Sequence, residues 1–332
     1  MSIRSTSSRL RGDVMTERAY EPWPELDYDL WADTLETVHM WTQIAGKTKL
    51  ANSPFRNQWW QVGFSLTPVG LTTRQMVSPH GLFAIDFDFV DHNLLFRASS
   101  GLTRKIPLYQ RSVADFFEEY QRTIELFGVA PIERPIPSEV PDPIPFAEDI
   151  AHACYDRDAV NRWFRIMAST DLVLQRYMSP FRGKSSPVLF YWGSFDLNVA
   201  RFCGRDSDPP SGAPRFFQLA ENQENVSCGF WPGNVTASGL TLGKAAFYSY
   251  TYPAPDGIDK KAIEPAKAGW DSTYGEFLYR YDDLRAEPDP DKALCGFFES
   301  TYLAGATSAA WDIDQLEHRD LPEVQESLRD VS

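Results

Sequence analysis

The chain reads as an α+β protein of two related halves, each a helix, a group of antiparallel strands and a closing helix, the two packed as one body. Three observations predict this. Ser53-Pro54-Phe55-Arg56 returns as Ser179-Pro180-Phe181-Arg182, each time after a helix-like run and before an aromatic, strand-like run. Phe116-Phe117-Glu118 with Tyr120 is echoed by Phe297-Phe298-Glu299 with Tyr302, both inside helical periodicity. Between the two sets, Pro131, Pro135, Pro137, Pro141, Pro143 and Pro145 make 130–146 a stiff, extended connector. A ligand is expected at the seam between the halves.

The first half occupies 21–129. Residues 29–47 place Trp31, Leu35, Val38 and Ala45 at helical spacing, with Asp29 as N-cap and Gly46 as the stop. His39 on this helix reads as a packed or half-exposed side chain. From Trp59 to Thr67 apolar and polar residues alternate, the period of a half-buried strand, interrupted by Pro68 and Gly70. Residues 82–90 form a second strand with Phe83, Ile85, Phe87 and Phe89 on one face. Asp91-His92-Asn93 is turn chemistry, and Leu94 to Ser99 returns as the hairpin partner. Ser112 caps a helix that runs to about Phe127 and ends at Gly128.

The second half, 147–311, repeats the order: a helix near 158–178, a strand over 187–203, strands near 225–231 and 245–252, an edge strand at 275–281, and a helix over 290–310 capped by Asp289 or Asp291. It is longer because of loops at about 205–224, 232–244 and 253–273, and loops on a packed scaffold tend to carry function. Residues 1–20 read as a disordered extension without the apolar core of a secretory signal, and Met15 as an alternative start. Residues 312–332 read as an acidic tail or a short surface helix.

Composition narrows the function. A formal charge of −14 over 332 residues argues against nucleic acid or an anionic membrane surface as partner. No apolar run approaches the ~18 residues that span a bilayer. Hydrophobic content of 43% with 10 Trp supplies a large core. Cys154, Cys203, Cys228 and Cys295 lie far apart without a metal-like spacing, which suits reduced cysteines in a cytoplasmic protein. No cofactor is expected.

The richest block is 183–205, GKSSPVLFYWGSFDLNVARFCGR. As one strand from Pro187 it shows Leu189, Tyr191, Phe195, Leu197 and Val199 on one face. Phe190, Trp192, Ser194, Asp196 and Asn198 lie on the other. The first half offers a counterpart in Gln61, Gly63, Ser65 and Thr67. Meeting, the two polar faces would line a small-ligand cavity; facing outward, they would be the wet side of an antiparallel sheet.

This block, with GFWPG at 229–233, SVADFF at 112–117, PDPIPFAED at 141–149 and GEFL at 275–278, resembles an unannotated bacterial family classed only as a domain of unknown function. The resemblance runs from about Trp23 to Trp311 and implies one full-length architecture rather than a fusion. It implies no activity, cofactor or catalytic residue. The family pattern places histidines beside the tryptophan pair, after Ser-Pro-Val and before the GFWPG block. Gln58, Leu189 and the Gln223–Asn225 stretch stand there instead, so a site built on those histidines is not expected in this chain.

The leading functional expectation is a binding protein for a small aromatic or carboxylate-bearing ligand. Trp192, Ser194, Asp196, Asn198 and Arg201 would form its core, with Trp231 and the second-half loops as lid. Arg201 and Arg205 would hold a carboxylate in bidentate fashion or pair with Asp206 or Asp208. Phe230, Trp231, Tyr248, Tyr250 and Tyr252 would line a pocket or pack a core. One alternative is an enzyme, such as a hydrolase with Asp196 or Asp88 as general base; another is a protein-interaction module using an aromatic sheet face. Asp86, Asp88, Asp91 and His92 have the ingredients of a metal or acid–base group. A tight hairpin turn, however, would set Arg97 opposite Asp88 and make that an ordinary cross-strand pair. Lys184-Ser185-Ser186 lacks the frame of a phosphate loop, and no histidine lies in a nucleophile-elbow context.

Overall fold

A computed structural model describes residues 21–209 and 211–318. The expected disorder of 1–20, the Met15 start and most of the acidic tail lie outside these described residues. The first helix, α1 (Tyr28–Asn52), is capped by Asp27, whose carboxylate accepts the Asp29 amide, rather than by Asp29 itself. It runs through Gly46 without stopping. That glycine serves packing: a Cβ there would lie 2.2 Å from the Trp192 ring.

The expected strand over Trp59–Thr67 is mostly absent. A single 3-10 turn (Asn57–Trp59) with positive φ at Gln58 and Trp59 occupies its start, and β1 covers only Ser65–Thr67. Then follow β2 (Gly70–Thr72), β3 (Met76–Ser78), β4 (Gly81–Asp88), β5 (Asn93–Ala98) and β6 (Thr103–Pro107). They form an antiparallel sheet in the order β1-β2-β4-β5-β6, with β3 also on β4. Ser112 caps α2 (Val113–Glu125) as expected, and Gly128 turns the chain at φ 73°. The β4–β5 register pairs Asp88 with Asn93 and Ala84 with Arg97. Arg97 therefore bonds Asp86, not Asp88.

The second half opens with α3 (Arg157–Met178) and closes with α6 (Pro290–Ser308), capped by Asp289. Between them lie β7 (Lys184–Ser185), β8 (Leu189–Tyr191), β9 (Asp196–Asp206), α4 (Arg215–Ala220), β10 (Gln223–Trp231), β11 (Ala246–Tyr252), β12 (Gly269–Asp271), β13 (Glu276–Arg280) and α5 (Tyr281–Arg285). The short α7 (Ile313–Leu316) follows α6. The sheet runs β12-β13-β11-β10-β9-β7, with β8 folded back on β9. The continuous strand expected over 187–203 is thus a hairpin. Tyr191 pairs with Asp196 across a tight turn in which Phe195 adopts φ 63°.

Both halves run helix, antiparallel sheet, helix. The repeated tetrapeptide does not mark equivalent surroundings, since Phe55 is 55% exposed and Phe181 only 7%. The two sheets are stitched where Phe64 and Phe190 exchange both backbone hydrogen bonds at 2.8 Å. One core spans them. Trp163 of α3 stacks on Phe195 at 4.9 Å and touches Trp31 of α1 and Phe89 beyond β4. Trp41 stacks on Phe116 of α2 at 4.6 Å. Helices α3 and α6 cover one face of the larger sheet and leave the other free. Among the described residues no helix is long and apolar enough to cross a membrane, and the four cysteines carry free thiols.

Candidate functional site

The free face of the larger sheet forms the floor of a cavity of about 510 Å³. Strand alternation dictates what points into it. From β9 come Asp196, Asn198, Ala200 and Phe202; from β10, Asn225 and Ser227; from β11, Tyr248 and Tyr250; from β13, Glu276. The registers set Ala200, Ser227 and Tyr250 in one cross-strand row and Asn198, Gly229 and Tyr248 in the next. Gly229 matters there. A Cβ would meet the Leu197 carbonyl at 1.9 Å and the Tyr248 hydroxyl at 2.8 Å, so only glycine lets the phenol lie across the strand.

The walls come from both halves. The 3-10 turn contributes Gln58, Trp59, Trp60 and Val62, and α1 contributes Leu50. Helix α4 adds Phe216 and Phe217, its C-cap Glu221 follows, and the proline-rich connector brings in Ser138 and Glu139. Trp231, Tyr274 and the Thr236–Ala237 turn complete the rim. The first-half residues expected on a polar strand face lie elsewhere: Gln61 accepts the Arg56 amide and Ser65 accepts Arg74 Nε.

Asp196 is the polar centre. Ser194 and Tyr248 donate their hydroxyls to its two oxygens, and Asn198 Nδ2 supports the Tyr248 hydroxyl at 2.9 Å. Burial pushes the Asp196 carboxyl up while the two donors oppose it. A second pair repeats the design: Glu221 accepts Tyr250 at 3.1 Å and Asn225 at 2.6 Å, and burial raises its carboxyl too. Glu139 stands exposed at the cavity mouth; the surrounding protein and then Asp196 push its carboxyl up to about 7. Burial and the charges of Asp196 and Asp271 push Glu276 up to about 8.

The turn carrying Trp192 and Ser194 is held from α1. His39 Nε2 donates to the carbonyls of Trp192 at 3.1 Å and Gly193 at 2.9 Å, and Trp192 Nε1 reaches Val62 O at 3.0 Å. Gln43 exchanges two hydrogen bonds with the Ser138 backbone, which draws the connector to the same place. Trp231 donates to Asn234, whose amide bonds Ser194 O.

Five of the six expected ligand residues, Trp192, Ser194, Asp196, Asn198 and Trp231, meet in this cavity. Arg201 does not. It lies an odd number of residues from Asp196, on the opposite face, fully buried, clamped to Glu299 of α6 and the Tyr177 carbonyl of α3 and stacked on Tyr177. Arg205 bonds Glu224. Phe230 packs in the core against Phe247, and Tyr252 bonds Asp208 O away from the cavity. Asp88 caps its turn through the Val90 and Asp91 amides, His92 bonds Tyr155, and no metal-holding group of three occurs among the described residues. Lys184 bonds Gln223. Glu139, Glu221 and Glu276 were not anticipated; the weak signal for Glu276 was a carboxylate opening an aromatic strand.

The family model described as "Family of unknown function (DUF5996)" matches residues 23–318. No curated protein and no solved structure matches the chain.

Proposed function

The chain belongs to DUF5996, a family of unknown function, and on that premise we propose from the geometry that it binds a small molecule with an aromatic or other flat apolar part in the cavity between the two halves. The observation that carries this reading is a cleft of about 510 Å³ with an aromatic floor and four carboxylates in its lining, a volume suited to a compact metabolite. Tyr248 and Tyr250 lie nearly parallel, 10° apart, and present an apolar bed with ordered polar groups at one end. Four free cysteines and the acidic charge suit the bacterial cytoplasm as its setting.

A thermal-shift screen of metabolites tests the reading. At one hundred times Kd a ligand stabilises by about 2.7 kcal/mol, which moves Tm by several degrees. Ala200→Phe, which fills the cavity from its floor, should abolish the shift. A shift that survives Ala200→Phe would place binding elsewhere and sink the reading. A second reading, a hydrolase, is favoured by Glu139 near 7 beside Asp196, an acid and a base of different environment. Turnover of a bound compound, lost in Glu139→Gln, would select it.

A further inference from the structure

The polar groups at the centre of the cavity are mostly paired with one another. The central donors turn into the wall: Ser194 and Tyr248 to Asp196, Tyr250 and Asn225 to Glu221, Trp192 to Val62, Trp231 to Asn234. Around them, among the described residues, the indoles of Trp59 and Trp60 and the hydroxyls of Tyr191 and Tyr274 stay open. Acceptors are left over. Among the described residues the carboxylates of Glu139 and Glu276 accept no hydrogen bond and form no ion pair. Gln58, only 6% exposed and part of the lining, bonds Asn222 through Nε2 and leaves its Oε1 without a donor.

Charge is one-sided. Asp196, Glu139, Glu221 and Glu276 line the cavity, and among the described residues no lysine or arginine does. Lys47 stands behind, donating to Ser138 Oγ at 2.9 Å and lying 5.9 Å from the Trp192 ring. Arg201 is on the far face of the sheet. An anion entering here would meet four carboxylates; a neutral polyol would satisfy the acceptors and leave the charge. A protonated amine answers both and a quaternary ammonium answers the charge, and aromatic faces add attraction because their quadrupole is negative above the ring.

We propose that the ligand is an organic cation, a primary or quaternary amine, whose charged end sits by Asp196, Glu139 and Glu276 near Trp192 and Trp231 and whose apolar body lies on the Tyr248–Tyr250 floor. This rests on the cavity being the binding site. The acids facing the amine are mutually coupled: Glu139 feels Asp196 and Lys47, and Glu276 feels Asp196 and Asp271. In the empty cavity protons supply the missing positive charge, so an amine that replaces them releases protons near pH 7.

The test is calorimetry on the full chain with four probes that share a phenyl ring: phenethylamine, phenyltrimethylammonium, 2-phenylethanol and phenylacetate. The two cations should bind at least about tenfold tighter than the alcohol, a difference of about 1.4 kcal/mol, and phenylacetate weakest. At pH 7 the heat of amine binding should change between buffers of different ionisation enthalpy, which reads proton release. Glu276→Gln and Glu139→Gln should each weaken the cations about tenfold and leave the alcohol unchanged; two positions guard against one failing to fold. Asp86→Asn, in a surface ion pair, should change nothing. Phenylacetate or the alcohol binding as tightly as the amines, in a manner lost in Ala200→Phe, would overturn the cation class while keeping the cavity. Amine binding that persists in Ala200→Phe would overturn the cavity itself. A response to Ca²⁺ or Mg²⁺ alone that Glu276→Gln removes would overturn the organic cation in favour of a metal.

Discussion

At the scale of single residues, His39 and Gly46 show how α1 builds a site that α1 itself barely lines. His39 is 4% exposed, and burial depresses its imidazole to about 4. The unfolded chain takes up that proton near 6.5 and the folded chain does not. Its contribution to stability is therefore complete above pH 6.5 and declines as pH falls toward 4, by roughly 3 kcal/mol in all. Urea titrations should show this loss in the parent and a flatter profile over the same window in His39→Gln. Glu139 and Glu276 run the other way, since raised carboxyls favour the fold below pH 4.5 and lose that advantage as pH rises through 7 and 8. Gly46→Ala should displace the Trp192 indole, destabilise by about 1–3 kcal/mol and change tryptophan fluorescence. Gly46 also marks a limit of sequence reading. A glycine late in a helical pattern argues for a stop, and the ring that requires it belongs to the other half of the chain.

At the scale of elements, β8–β9 explains both what was legible in the sequence and what was not. Gly193-Ser194 is a turn signal, but alternation on either side of it suggested one unbroken strand. The four-residue turn keeps Trp192 and Ser194 beside Asp196 and Asn198, so the polar group was recognisable under the wrong geometry. Arg201 was misplaced despite a parity that already set it opposite Asp196. On its own face it is a buried cation with Glu299 as counter-charge. Arg201→Ala should cost about 3–5 kcal/mol and Arg201→Met much less, measured by denaturant melts, with amine affinity unchanged in whatever fraction folds. Gly229→Ala should act differently, opening the β9–β10 ladder and parting Tyr248 from Asp196. Slower ligand association and loss of amide protection at Cys228 would report it. Helices α1, α2, α3 and α6 were readable because caps and apolar stripes are local. The 3-10 turn was not, because positive φ at Gln58 and Trp59 has no local signature in those residue types.

At the scale of the whole molecule, the connector is a wall as well as a link. Its prolines announced an extended segment, while its docking rests on Gln43, a helical residue with nothing in its own surroundings to mark it. Gln43→Ala should speed hydrogen exchange at the Ser138 amide and weaken amine binding by about 1–2 kcal/mol, since Glu139 would no longer be held over the cavity. An unchanged exchange rate would show that the prolines alone position the segment. The α+β architecture was evident from helix and strand periods. The shape of the cavity was not, because it depends on how two sheets meet at Phe64 and Phe190.

That meeting has a consequence in time. Trp192 reaches Val62 across 130 positions of sequence, whereas strands within each sheet pair mostly with near neighbours along the chain. Closure of so long a loop carries a large entropic penalty before any contact offsets it. During refolding, sheets and helices should therefore form first and the cavity last. A cation added to a refolding chain would report not the growth of secondary structure but the moment the two halves join.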